Sequence, residues 1–126
     1  MTTILLVEAD PLQASLLLSL LRRRFNDVRR ARDASEALCL IEQPEFAERL
    51  GLVISAHHDL GIGGRAFVAE LHDRMPQLPV LVLGSAGETS GDYDNDRVAF
   101  LLRPAAPKKL LALADLLLSQ GKNVAA

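Results

Sequence analysis

Residues 50–75 read LGLVISAHHDLGIGGRAFVAELHDRM, and they contain a strand, a loop and a helix in succession. The apolar run 50–55 has the length of a buried strand, whereas the apolar side chains of 64–75 recur with helical spacing. The intervening segment, residues 56–63, contains two glycines, which favour a loop. A buried strand that leads through a loop into a helix is typical of an α/β fold with a parallel sheet.

The rest of the chain repeats this alternation. Asp10 and Pro11 are a helix cap and a first-turn proline, Pro44 is expected to end a second helix, and Gly121 to end the last. Strands are predicted at 3–7, 27–31, 50–55, 79–83 and 98–102, and helices from 11, at 33–43, 64–75 and 107–120. We therefore expect a doubly wound parallel sheet of five strands with helices on both faces.

Composition is that of one domain spanning residues 1–126. Of the 126 residues 49% are hydrophobic, and the net charge of −2 gives no general attraction to nucleic acid or anionic membranes. The one cysteine, Cys39, cannot form an internal disulfide, which favours a reducing compartment. No apolar run reaches the roughly 18 residues of a membrane span. We expect a cytoplasmic protein without a membrane partner.

Four stretches together resemble the receiver domain of bacterial response regulators, which is CheY-like and flavodoxin-like, with strand order 2-1-3-4-5. They are ILLVEADP (4–11), LVISAHHDLGIGG (52–64), LPVLVLGSA (78–86) and FLLRP (100–104). The resemblance covers residue 3 to about residue 119. It implies a signalling domain of a two-component system, in which an aspartate after the third strand accepts a phosphoryl group and an acidic pair after the first strand holds Mg²⁺.

The resemblance also implies that the phosphorylation pocket is degenerate. Gly64 fits the loop glycine that follows the family's phosphoacceptor by eight positions, so Ala56 stands where that aspartate belongs. The acidic pair corresponds to Glu8 and Ala9, with Asp10 one place too late. Because Mg²⁺ prefers several carboxylates in octahedral geometry, neither metal nor cofactor is expected.

The remaining positions of the family's pocket are altered as well. The hydroxyl position after the fourth strand corresponds to Gly84, with Ser85 beside it, and the lysine after the fifth strand corresponds to Arg103. Phe100 stands at the family's switch-type aromatic position. We expect no catalytic residues and no enzyme. The predicted function is a pseudo-receiver that binds a protein partner, or itself as a homodimer, without phosphorylation.

An alternative function reuses the flavodoxin-like scaffold to bind a metal or a small ligand. Glu8, Asp10, His58 and Asp59 carry the carboxylate and imidazole groups that such a site would need. The pattern disfavours it, since adjacent residues that leave a strand point in different directions.

Six arginines between residues 22 and 32 admit two interpretations. They could bind an anionic partner, although nucleic acid is not the expected partner of this domain. Alternatively, they complement a helix dipole and protect an edge strand from further pairing, which is the interpretation we favour.

Three further structural expectations follow. Residues 85–97 carry polar glycine turns, so the helix between the fourth and fifth strands is expected to be short or missing. Leu111 and Leu118 are expected at the edge of the last helix's core stripe, as a self-association surface. Arg103 is expected to turn inward toward Glu8 or Asp10, with a cis peptide bond before Pro104 as in the family.

Overall fold

The computed structural model describes residues 2–56, 64–84, 97–103 and 105–125. The strands are β1 (Thr3–Val7), β2 (Val28–Ala31), β3 (Leu50–Ala56), β4 (Val80–Gly84) and β5 (Val98–Leu102). The helices are α1 (Pro11–Arg22), α2 (Ala34–Ile41), α3 (Pro44–Arg49), α4 (Gly64–Arg74) and α5 (Pro107–Ala125). All pairings are parallel and the strand order is β2-β1-β3-β4-β5, which confirms the predicted fold class and topology.

The sheet separates two apolar layers. On one face Val7, Val53 and Val82 pack with side chains of α2 and α4, including Phe67 and Leu71. The opposite face packs against α1 and α5, and its buried residues include Ile4, Leu6, Leu52, Leu81, Leu21, Leu110 and Leu117. Successive strand residues point to opposite faces, so strands covered on both sides must be apolar at nearly every position. This is why four of the five strands appear as continuous apolar runs in the sequence, whereas β2, at the edge of the sheet, contains Arg29 and Arg30.

Proline begins the helices α1, α3 and α5. Asp10 caps α1 with its side chain, and Pro11 follows at the first helical position, as predicted. The second helix was expected to continue to Pro44, but α2 ends at Ile41 and Pro44 begins the short helix α3. Proline can stop a helix because it lacks the N–H that an interior position needs for hydrogen bonding. It also suits the first turn of a helix, where the N–H would have no partner within the helix.

The last helix is longer than predicted. Helix α5 passes Gly121 and continues to Ala125. A glycine inside a helix costs only about 1 kcal/mol relative to alanine, and no proline follows to prevent continuation. The expected stop at Gly121 is therefore wrong.

The leucines of α5 differ in exposure. Leu111 and Leu118 are half-buried and pack against the core, whereas Leu116 is 54% exposed. The half-burial of Leu111 and Leu118 agrees with their expected position at the edge of the core stripe, and self-association through them stays a prediction.

Two further expectations concern the β4–β5 connection and the membrane. The prediction of a short or missing helix between β4 and β5 concerns residues 85–96, which lie outside the described residues. Among the helices of the described residues, none is both long enough and apolar enough to cross a membrane.

Candidate functional site at the carboxyl ends of the strands

Four neighbouring parallel strands end at the same edge of the sheet. Strand β3 ends at Ala56 and β4 at Gly84, each one residue later than predicted. Glu8 directly follows β1 and Arg103 directly follows β5. In the register of the sheet, Val7 pairs with Ser55, Ala56 with Leu83, and Gly84 with Leu102. The positions that the sequence singled out therefore lie along one edge.

Glu8 is the buried charge of this edge. It is only 1% exposed, and within the described part of the chain neither carboxylate oxygen has a hydrogen-bond partner. Burial raises the pKa of Glu8, and the guanidinium of Arg103 opposes that rise. The backbone amides of Ala9 and Asp10 also lower this pKa, although neither forms a well-directed hydrogen bond to the carboxylate. The carboxylate is thus removed from water and depends on Arg103 for its charge balance.

Arg103 turns inward, as expected. Its Nη1 lies 3.7 Å from Oε1 of Glu8, which makes an ion pair without a hydrogen bond. Its Nε donates to the carbonyl of Leu83 at 3.3 Å, and its backbone N–H donates to the carbonyl of Gly84 at 3.0 Å. The side chain of Arg103 is 26% exposed, but its Nη2 is buried and has no hydrogen-bond partner among the described residues. The peptide bond to Pro104 lies outside them.

Asp10 is not part of this ion pair. Its Oδ1 accepts hydrogen bonds from the backbone N–H groups of Leu12 at 2.9 Å and Gln13 at 3.4 Å, and the residue is exposed. Its carboxylate is therefore a helix cap. The described residues contain no group of three side chains able to hold a metal ion. His58 and Asp59, which complete the alternative ligand set, lie outside the described residues.

Arg30 is a residue of this site that the sequence pattern did not reveal. From the end of β2 its Nε and Nη2 donate to the backbone carbonyl of Glu8 at 3.1 and 3.0 Å, and Nη2 also donates to the carbonyl of Ala9 at 3.2 Å. Strand alternation could have indicated it, because Arg29 and Arg30 must point to opposite faces of β2.

The remaining arginines of the cluster also make internal contacts. Within the described ranges, the side chains of five of the six arginines between residues 22 and 32 donate to this chain's own groups, namely Arg22 to the Val28 carbonyl, Arg24 to Asp115, Arg29 to Asp27, Arg30 to the carbonyls above, and Arg32 to Glu36. These contacts agree with the structural interpretation of the cluster.

Phe100 covers the end of β4. A Cβ atom placed on Gly84 would lie 2.3 Å from Cζ and 2.4 Å from Cε2 of Phe100. Non-bonded carbon atoms are ordinarily about 3.5 Å apart or more. The ring therefore occupies the space that any side chain at position 84 would need.

Comparison with solved structures agrees with this architecture. No family model matches the chain, and no curated protein matches it in sequence. A response-regulator receiver domain from Clostridium thermocellum has a TM-score of 0.86 at 16% identity, covering 98% of this chain and 99% of that one.

Two further structures share more sequence with it. A putative response regulator from Chloroflexus aurantiacus has a TM-score of 0.79 at 25% identity, covering 94% of this chain and 98% of that one. The signal receiver domain of an HD-domain protein from Pseudomonas fluorescens has a TM-score of 0.79 at 25% identity, covering 97% and 98%. This chain has the receiver-domain fold. The assignment of Glu8, Ala9, Ala56, Gly84 and Arg103 to the phosphorylation pocket of this receiver-like domain stays a prediction.

The divalent cation that the receiver fold implies does not fit these residues. Of the positions expected to carry its carboxylates, Ala9 and Ala56 have methyl side chains, and the carboxylate of Glu8 faces Arg103. Mg²⁺ requires oxygen ligands in near-octahedral geometry. The side chains at these three positions supply one carboxylate in total, and it already faces a cation.

Proposed function

We propose that this chain, over residues 1–126, is a receiver-like domain of a two-component system that acts by protein–protein interaction without phosphorylation. The observation that carries the proposal is Ala56, which ends β3 and is fully buried. A methyl group has no lone pair with which to attack a phosphodonor.

The surroundings of Ala56 support the same conclusion. Phosphoryl transfer depends on positioning and on cations that neutralise the moving charge. The cation that faces the Glu8 side chain, Arg103, is paired with that carboxylate, and its Nε donates to the carbonyl of Leu83. The positive charge of Arg103 is therefore already balanced by Glu8, without a phosphoryl group.

A fixed surface follows from this arrangement. The Phe100 ring packs against Gly84, where there is no side chain to displace it. Neither this packing contact nor the Arg103–Glu8 ion pair depends on a modification. We therefore propose that β5 and its neighbours present one constant surface to a partner.

The partner is proposed to be a signalling protein or a second copy of this chain. Leu116 on α5 and Leu102 at the end of β5 are exposed apolar side chains that such a partner could cover. A non-enzymatic role agrees with the few titratable groups that the described residues place at the strand ends. The structural neighbours are bacterial response regulators, so a bacterial and cytoplasmic setting is part of the proposal.

Treatment with a phosphodonor tests this function. The purified domain is incubated with acetyl phosphate and Mg²⁺ beside an ordinary receiver domain as a positive control, and intact mass is measured. We expect a phosphoryl adduct on the control alone. Capture of partners from the native cell should be the same before and after the treatment. An adduct on this chain, or a partner retained only after treatment, would contradict the proposal.

A further inference from the structure

Two guanidinium groups converge on the segment that follows β1. Arg103 faces the side-chain carboxylate of Glu8, at 3.7 Å, from the end of β5. Arg30 reaches the same segment from β2 and binds the backbone carbonyls of Glu8 and Ala9. The acidic and carbonyl oxygens of this segment are thus approached by positive charge from two sides.

We propose that Arg30 and Arg103 together replace the divalent cation of the receiver fold and exclude such a cation from this pocket. The inference rests on the proposed function, because it explains how a receiver-like domain keeps its charge balance without an ion. Beyond that function, it assigns to Arg30 and Arg103 the positive charge that a metal ion would otherwise supply.

Charge is the first reason. A guanidinium stays protonated throughout the working pH range, so the positive charge beside Glu8 is permanent. Because Glu8 is 1% exposed, water screens this pair far less than it would screen a surface pair. A divalent cation would have to approach the carboxylate against the charge of Arg103, and it would find one carboxylate where the fold ordinarily supplies several.

Oxygen availability is the second reason. Backbone carbonyls are ligands that hard cations accept. Here the carbonyls of Glu8 and Ala9 accept three hydrogen bonds from Arg30, at 3.0–3.2 Å. The remaining carboxylate nearby, that of Asp10, already accepts two hydrogen bonds from the first turn of α1. Apart from the carboxylate of Glu8, each of these groups therefore already accepts at least one hydrogen bond from within the chain.

Restoring the missing carboxylates separates the effect of the arginines from that of the alanines. In the variant Ala9→Asp plus Ala56→Asp, Mn²⁺ binding is measured by electron paramagnetic resonance. We expect weak binding while both arginines are present, and at least about tenfold tighter binding after addition of Arg103→Met or Arg30→Met. Arg24→Met is the matched control, because it also removes one arginine charge but its ion pair is with Asp115 on α5. It should leave the affinity unchanged.

Tight binding with both arginines in place would overturn the inference, and so would arginine substitutions that have no more effect than the control. Circular dichroism checks that each variant is folded. Should the restored variant fail to fold, the single replacement Ala9→Asp, which leaves the buried Ala56 in place, provides a second measurement. Mg²⁺ should leave the melting temperature of Ala9→Asp unchanged relative to KCl of equal ionic strength, and should raise that of Ala9→Asp plus Arg103→Met. Absence of that difference would equally overturn the inference.

These outcomes are distinct from those of the phosphodonor test. A wild-type chain that binds Mn²⁺ tightly yet takes no phosphoryl group would reject the role of the arginines and leave the proposed function standing. A wild-type chain that becomes phosphorylated would reject the proposed function itself.

Discussion

Substitution of Gly84 by alanine should force the Phe100 ring out of its present position. The added Cβ would lie 2.3 Å from Cζ of Phe100, whereas carbon atoms in contact are about 3.5 Å apart. The ring must therefore move by about 1.2 Å, which is the difference between these two distances. Gly84 is a strand residue without a positive φ, so alanine itself adds no backbone strain.

The expected cost follows from overpacking. Introducing a methyl group into a filled site typically destabilises a protein by about 1–3 kcal/mol. A domain of 126 residues loses about 4 °C of melting temperature per kcal/mol, so Gly84→Ala should lower the melting temperature by about 4–12 °C. The Phe100 side chain, half-buried in the native chain, should become more exposed.

A double-mutant cycle assigns this cost to the ring. The free energy of unfolding is measured by urea titration for the wild type, Gly84→Ala, Phe100→Ala and the double variant. When Phe100 is already alanine, the Cβ at position 84 meets no ring, so Gly84→Ala should be nearly neutral. The coupling free energy should be about 1 kcal/mol or more.

Two results would refute this reasoning. An equal cost of Gly84→Ala in both backgrounds would place the strain in the backbone of β4 rather than in the ring. No cost in the wild-type background would mean that the ring does not rest against Gly84, and the proposed constant surface of β5 would then lack its packing contact.

Three further predictions concern other parts of the molecule. Asp10→Ala should destabilise the protein by about 1 kcal/mol while Asp10→Ser remains close to wild type in thermal unfolding, because the residue acts as a helix cap; equal losses would argue for another role. Thr3 Oγ1 donates to Asp27 at 2.6 Å and is the largest cause of that aspartate's lowered pKa, so Thr3→Val should cost about 1.5 kcal/mol at pH 7. The folded state binds the Asp27 proton less tightly than the unfolded state, so this contribution is present above pH 3.8 and is lost as pH falls below it; the two melting curves should converge in acid, and a constant difference would be inconsistent with this. On α5, Leu117→Ala should cost about 2–4 kcal/mol and Leu116→Ala less than about 0.5 kcal/mol in urea unfolding, since the first side chain is buried and the second exposed; similar losses would mean that the helix is rotated differently.

The elements that could be predicted are those with a local signal. Apolar runs marked β1, β3, β4 and β5, the weaker pattern of residues 27–31 marked β2, and Asp10 with Pro11 marked the start of α1. Signals with two meanings were less reliable. Helix α2 does end before Pro44, but the same proline also starts α3, and Gly121 does not stop α5. Proline is compatible with the first turn of a helix, and the cost of a glycine inside a helix is too small to stop one.

Within the candidate site, the resemblance to receiver domains implied that Glu8 and Arg103 lie at the same edge, and it led to the prediction of their ion pair. It could not predict that the pair lacks a hydrogen bond, since Arg103 Nε is held by the Leu83 carbonyl and this sets the reach of the guanidinium. Arg30 was missed because its partners are backbone carbonyls. Every residue has a carbonyl, so the residue types in the sequence do not indicate such a contact.

By itself the amino-acid sequence determined the α/β class, the five parallel strands and the absence of a nucleophilic side chain at position 56. Each of these depends on local patterns, namely continuous apolar runs between helices and the identity of one residue. Tertiary structure alone decided that Arg30 joins Arg103 around the segment of Glu8 and which ring covers Gly84. Those contacts join β1 to β2 and β5, and β4 to β5, so they depend on strand pairing and side-chain reach across the sheet. Charge balance in a buried site is a property of three-dimensional neighbours, because it is set by the few ångströms between groups that are distant in the chain.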